Sequence, residues 1–382
     1  MDLFRDLVRA QFISRPNRFV VECLVGDRTV RAYLPNPGRM WELLVPGVPL
    51  SLAALPPSPK RTLAYLVVAV ERDGMQVMVH THENNRVARR LIERNRVPGL
   101  EGALIVKQEH RMGHSRFDFL LRKDGRDILV EVKSCTLFHE GLAMFPDAVS
   151  ARATRHLREL DELAGKGFGA AVLFIVHSPH ARFFMPEHHT DLEFCRALLV
   201  VKDRVMVRAL GIGWQQDLKL DDAVRDLTIP WDLVEREAQD RGNYLVILRL
   251  RRDRRIDVGS LGRVKFPKGY YCYVGSAMKG LAQRIARLQR LAKKKHWHID
   301  HLREHSDFIA GVPIRSGTNR EHEIASAVSA VADWTMPGFG CTDCGCDPHL
   351  FGMHGDPLHF RPFIDMLLHF RMGLLEEEIG RR

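Results

Sequence analysis

Asp118, Glu131 and Lys133 have the types and spacing of a metal-dependent phosphoester site. Asp118 lies in Ser115-Arg116-Phe117-Asp118-Phe119-Leu120-Leu121, and the other two in Leu129-Val130-Glu131-Val132-Lys133. Side chains two apart on a strand share a face, so Glu131 and Lys133 point the same way. The stretch between Asp118 and Glu131 is long enough for a hairpin turning at Asp124-Gly125, which brings the carboxylates together. Such a pair holds Mg²⁺ or Mn²⁺ through oxygen. The cation polarises a phosphate and activates water, while Lys133 orients that water or stabilises developing negative charge. Glu109, upstream, is a candidate additional ligand. Val130 and Val132 alternate with the charged residues, which sets Glu131 at the edge of an apolar layer, where a carboxylate needs a reason to be. The competing reading is a solvent-facing Glu–Lys pair on an edge strand.

Other residues extend these possibilities. Arg152 and His156 stand four apart on a helix, facing either phosphate or the packed interior. Asp147 either caps that region or reaches the metal. Arg284, Arg287 and Arg290, followed by Lys293, Lys294 and Lys295, form a basic stripe at helical spacing: a track for phosphates or a solvated face. Glu321 precedes Ile324, Ala325 and Val328, which places it at the border of a buried helix face. Cys341, Cys344, Cys346 and His349 have the spacing C-x2-C-x-C-x2-H, so they are either Zn²⁺ ligands, with His296 or His298 as substitutes, or buried thiols.

The elements that must position these groups fall into three regions, predicted as 1–83, 84–235 and 241–382. In the first, residues 19–25, 29–34, 63–71 and 75–80 read as short strands, with another opening near Pro46, broken by Pro and Gly turns. That texture suggests a small β-barrel of OB type. The second alternates helix (84–94, 151–163) and strand (117–121, 128–132), and its apolar run 170–176 suits a central strand covered on both faces. The third has strands at 244–250 and 270–274 and a basic helix at 281–293. Residues 231–240 form a linker. The tail beyond residue 356 is an amphipathic helix with Phe363, Met366, Leu367 and Phe370, packing on a domain or mediating pairing. The expected class is multi-domain α+β.

Bulk composition bounds the partners. The 382 residues carry 57 Lys and Arg against 47 Asp and Glu, a formal charge of +10 that favours an anionic partner. No apolar run of about 18 residues exists, so no membrane-spanning helix is expected. Residues 1–10 carry two Asp and lack a signal-like apolar core. Of the seven Cys, Cys23, Cys135, Cys195 and Cys272 are scattered among apolar residues and read as reduced thiols in a cytoplasmic protein. Self-association stays open.

Residues 1 to about 235 resemble the sugar fermentation stimulation protein family. The resemblance lies in Pro35-Asn36-Pro37-Gly38-Arg39-Met40, Pro59-Lys60-Arg61, the stretches around Asp118 and Glu131, Phe145-Pro146-Asp147-Ala148-Val149 and His156-Leu157-Arg158-Glu159-Leu160. It implies an OB-like domain, a domain similar to the PD-(D/E)XK nuclease fold, and DNA binding. Arg39, Lys60, Arg61 and Arg116 then become candidate phosphate contacts; Pro37-Gly38-Arg39 stands where the family usually has Thr-Gly-Ser.

Residues 241 to about 355 resemble the GIY-YIG nuclease superfamily through Gly242-Asn243-Tyr244, Tyr273-Val274-Gly275-Ser276, Trp297-His298-Ile299-Asp300 and Phe339-Gly340 through His349-Leu350-Phe351. The resemblance implies a site of Tyr244, Tyr273, Arg284 and Glu321, with the glutamate on a metal. Two positions depart: Asn243 replaces an Ile, and Leu288 replaces a His. The combined expectation is a DNA-binding endonuclease using Mg²⁺ or Mn²⁺. Its alternatives are a non-catalytic DNA-binding accessory or regulatory protein, or an enzyme acting on RNA.

Overall fold

The computed structural model describes residues 4, 6–56, 62–113, 115–340 and 348–381. They form two compact units, one of Met1–Glu187, Glu193–Glu235 and Glu376–Arg382, the other of His188–Leu192 and Arg236–Leu375.

The first unit opens with six strands: β1 Leu7–Asn17, β2 Val20–Val25, β3 Arg28–Tyr33, β4 Pro49–Ala54, β5 Tyr65–Arg72 and β6 Met75–Met78. Neighbours run β3-β2-β1-β4-β5-β6, and a further parallel pairing of β3 with β5 closes five of them into an OB-like barrel. The strands alternate, so Phe12, Val21, Cys23, Ala32, Leu50 and Leu52 fill the interior.

Next come helix α1 Asn84–Glu93, strands β7 Leu104–Met112, β8 Ser115–Lys123 and β9 Arg126–Cys135, and the short β10 Leu137–His139 and β11 Leu142–Phe145. Helix α2 Ala151–Gly165, β12 Gly169–Val176, β13 Phe183–Pro186, α3 Leu192–Val201, β14 Met206–Trp214, β15 Leu220–Asp226 and α4 Trp231–Glu237 follow. The main sheet is ordered β15-β14-β12-β9-β8-β7. β12 is parallel to both β9 and β14 and buried on both faces, as its apolar run requires. Its Ala171, Leu173 and Ile175 pack with Val87, Leu91 and Ile92 of α1. Val172, Phe174 and Val176 pack with Leu157 and Leu160 of α2, in a core continuous with the barrel interior.

The second unit holds β16 Gly242–Leu250, the two-stranded β17 Arg254–Asp257 and β18 Arg263–Phe266, β19 Gly269–Ala277, helices α5 Leu281–Gln289 and α6 His298–Arg303, β20 Asp307–Arg315, α7 Glu321–Val331, β21 Trp334–Thr335, β22 Leu350–Met353 and α8 Arg361–Leu368. The last helix is α9 Leu374–Gly380, which from Glu376 onward belongs to the first unit. The sheet order is β20-β16-β19-β22-β21. α8 packs on α7 with Phe363 and Leu367 buried, so the apolar face of the tail is used within its own unit. The basic helix stops at Gln289, four residues short of the expected end, because Arg290 turns extended (φ −65°, ψ 140°). Arg290 therefore leaves the stripe that residue spacing gave it. Among the described residues no helix is long and apolar enough to cross a membrane.

Candidate functional site

The hairpin of β8 and β9 does what the spacing requires. Phe119 faces Val130 and Leu120 faces Leu129, and the next step of that register sets Asp118 across from Glu131. Asp118 Oδ2 accepts the Val132 amide at 2.7 Å, and Oδ1 accepts the Asn85 side-chain amide of α1 at 2.7 Å. Burial pushes the Asp118 carboxyl above its ordinary pKa, and the charge of Glu131 adds to the rise.

Glu131 is 4% exposed. Its Oε1 accepts from Lys133 Nζ at 2.6 Å and His156 Nδ1 at 2.5 Å. Burial alone would raise its pKa, but the hydrogen bond from His156 and the charge of Lys133 outweigh that and hold it below the ordinary value. Its other oxygen, Oε2, is buried with no hydrogen-bond partner among the described residues. Buried carboxylate oxygens are normally satisfied, and an oxygen-seeking cation is one group that would satisfy this one. The residues present thus fit a divalent metal.

Several expected contacts fall elsewhere. His156 does not face phosphate: it is 2% exposed and turned inward as the partner of Glu131. Arg152, one turn earlier on α2, is exposed. Glu109 lies on β7 between His110, opposite Phe117, and Gln108, opposite Phe119, at the level of Asp118. Its backbone is left-handed (φ 49°), however, and its exposed carboxylate turns to Arg116 Nη1 at 3.3 Å, not to the acidic pair. Asp147 reaches a loop of the barrel. Its Oδ2 accepts the Met40 amide at 2.6 Å and so ties the 36–40 loop of the barrel to the α/β layer. A Cβ at Gly38 would come within 2.8 Å of the same oxygen, so this approach needs glycine. Arg15 Nη1 clamps the loop by donating to the carbonyls of Gly38 and Arg39. Arg39 lies over the Trp41 ring at 4.9 Å. Lys60 and Arg61 lie outside the described residues. Sequence reasoning missed Asn85; its only signal was a second Asn at the start of a helix.

In the second unit β16 and β19 pair so that Tyr244 faces Gly275 and Val246 faces Tyr273, with the two phenol rings 6.3 Å apart. A Cβ at Gly275 would strike the Tyr244 hydroxyl, which explains glycine there. Burial pushes the Tyr244 phenol up to about 12, opposed by the charge of Arg284. The Tyr273 phenol is pushed higher still, by burial and by the neighbouring Tyr244 and Glu321. Glu321, at the start of α7, pairs with His349 Nδ1 at 2.8 Å and accepts from Ser276 Oγ at 2.5 Å. Burial raises its pKa, but these two bonds prevail and hold it low.

Asn243, the departure from the superfamily pattern, is fully buried. It accepts the Arg320 amide at 3.1 Å and donates to the Thr318 carbonyl at 3.3 Å, which fixes the chain just before Glu321. Leu288 sits in the hydrophobic core. Arg287 is not a free phosphate contact, because its guanidinium forks onto Asp300. His349, grouped by spacing with the cysteines as a zinc ligand, is buried with Nδ1 paired to Glu321. Cys341, Cys344 and Cys346 lie outside the described residues, and among those described no cluster of three or more His, Cys, Asp or Glu is arranged to hold a metal.

Comparisons with known proteins follow this division. Residues 13–79 match the SfsA N-terminal OB domain, and residues 82–217 match the sugar fermentation stimulation protein RE domain. Residues 243–367 match a domain of unknown function, DUF123, of GIY-YIG-like fold. The sugar fermentation stimulation protein homolog of Methanothermobacter thermautotrophicus is 41% identical over 196 residues, covering 51% of this chain and 81% of that protein. The homolog of Moorella thermoacetica is 40% identical over 193 residues, covering 50% of this chain and 83% of its own length. The structure of Pyrococcus furiosus SfsA in complex with Ca²⁺ superposes with a TM-score of 0.55 at 30% identity, over 60% of this chain and 99% of that one. This chain belongs to the sugar fermentation stimulation protein family, with a DUF123 domain following the family's two domains.

Proposed function

We propose that the protein binds DNA and cleaves a phosphodiester bond with a divalent cation held by Asp118 and Glu131. The observation that carries this reading is the buried, unpartnered Oε2 of Glu131 beside an Asp118 whose ionised form is penalised by burial and by its neighbour. A cation removes both penalties at once. The Ca²⁺ in the Pyrococcus furiosus relative supports an oxygen-ligated divalent ion on this fold. Mg²⁺ or Mn²⁺, once bound, supplies Lewis acidity toward the phosphate. The protein's own groups do the rest. Asn85 and the Val132 amide orient Asp118, while His156 and Lys133 hold Oε1 of Glu131 and leave the buried Oε2 to the cation. The Lys133 ammonium, on the same face, stabilises charge that develops on a bound phosphate.

In this reading 1–83, 84–235 and 241–382 act as three modules. Arg39, Arg116 and Arg152 grip the DNA backbone, and the second unit offers Tyr244, Tyr273, Arg284 and Glu321 as a further phosphoester site. For that unit a binding-only role is favoured by one observation: Leu288, in the core, stands where the superfamily has a proton-transferring His.

The test is cleavage of supercoiled and branched DNA with Mg²⁺ or Mn²⁺. Asp118→Ala and Glu131→Ala are each expected to lower the rate by about 10²-fold or more, with DNA affinity retained. Wild-type protein that binds both substrates and cuts neither would leave the accessory-protein reading standing.

A further inference from the structure

The segment 296–300 does more than join two helices. Arg284 and Arg287 are three apart on α5, and both guanidinium groups lie over the indole of Trp297, at 4.5 and 4.2 Å from its centroid. Two cations on one ring repel each other, and one of them is neutralised. Arg287 donates through Nη1 and Nη2 to the two oxygens of Asp300, at 3.2 and 2.9 Å. The Asp300 carboxylate has no solvent exposure. It also pairs with Lys293 Nζ at 2.8 Å and accepts the backbone amides of His296 and Trp297 at 2.9 and 3.1 Å. One buried anion therefore fixes both the cation beside Arg284 and the backbone that carries the indole. Arg284 itself has no carboxylate at ion-pair distance among the described residues, and its charge acts on the nearby Tyr244 phenol, opposing the rise that burial gives it.

We infer that Trp297 and Asp300 are positioning residues that bracket the Arg284 guanidinium against Tyr244, making Arg284, and not Arg287, the cation this unit offers to a phosphodiester. The inference rests on reading Tyr244, Tyr273, Arg284 and Glu321 as a phosphoester site. The division of labour follows from geometry. A guanidinium already forked onto a buried carboxylate would have to break that pair to meet phosphate, at high cost. A guanidinium stacked on an indole keeps its hydrogen-bonding edge available. The ring restricts Arg284 in the unbound state, so less side-chain freedom is lost when phosphate arrives.

The experiment uses the full chain and two readouts. Side-chain nitrogen-15 spectra report the Arg284 Nε–H resonance, identified by its disappearance in Arg284→Ala. The indole ring current displaces this resonance from the position of solvent-exposed arginines. Trp297→Leu is expected to return it to that position, and Trp297→Phe to retain part of the displacement. Affinity for a short fluorescein-labelled duplex, followed by anisotropy, is expected to fall about tenfold in Arg284→Ala and by a similar factor in Trp297→Leu, with Trp297→Phe between. An Arg284 resonance that keeps its place in Trp297→Leu overturns the inference, as does duplex affinity unchanged by Trp297→Leu when Arg284→Ala weakens it. A resonance that moves in Trp297→Leu while Arg284→Ala leaves duplex affinity intact instead sinks the reading of this unit as a phosphoester site. Trp297→Phe, which keeps an aromatic ring in place, separates these outcomes from simple unfolding.

Discussion

Asp300 shows how a buried carboxylate earns its burial, and it makes a pH prediction. Arg287, Lys293 and two backbone amides outweigh the penalty of burial and hold its pKa well below the ordinary aspartate value. A depressed carboxylate contributes stability that is fully present above its unfolded pKa, about 3.9, and is lost as pH falls toward the folded value. Asp300→Asn is therefore expected to destabilise the second unit by about 3 kcal/mol at neutral pH. Urea unfolding should show that deficit shrinking as pH is taken below about 4; a deficit that does not change with pH would mean packing, not charge, is what Asp300 supplies. At this scale the sequence was a good guide where strand alternation fixes direction. Glu131 and Lys133, two apart, do share a face. It was a poor guide where a helix wheel must choose between interior and solvent. His156 and Arg152 stand four apart, yet one is buried on Glu131 and the other is exposed. Arg287 has the spacing of a phosphate contact, but its partner Asp300 comes from the next helix, and nothing in residue spacing reveals that.

Among the elements, α2 is the one whose placement the first site depends on, because it delivers His156 to Glu131. Its start is set by Ser150, whose hydroxyl accepts the Ala153 amide at 3.2 Å. Ser150→Ala is expected to lower stability of the first unit by about 1 kcal/mol, and Ser150→Asp to restore it. The urea midpoint measures both, and an Ala variant as stable as wild type would show that the cap is dispensable. Elements with strong periodicity or an unbroken apolar run were legible: α1, α2 and β12 fall within a residue or two of where patterning sets them. β1 and β7 were not. Apolar residues face outward on both (Ile13 on β1, Leu104 and Val106 on β7), β1 is interrupted by register shifts in its pairing with β2, and most of β7 is exposed at the edge of its sheet, so neither carries a clean alternation. Helix α5 ends short of Lys293, whose ammonium instead donates to the Arg287 and Leu288 carbonyls at the helix end and pairs with the buried Asp300 of α6.

For the whole molecule, the barrel and the α/β layer share one core, and the 36–40 loop is tied across them by Asp147. The three textures read from sequence thus fold as two compact units. A continuous core between the barrel and the layer depends on which faces meet in space, and that is not written in any local pattern. The net charge of +10 suits a nucleic-acid partner but does not locate it. The proposed enzymatic role depends on Asp118 and Glu131 binding a cation. Calorimetric titration of Mn²⁺ into the full chain tests that directly. A binding event is expected that Glu131→Gln removes and Glu321→Gln leaves in place. Identical isotherms for the wild type and Glu131→Gln would contradict it.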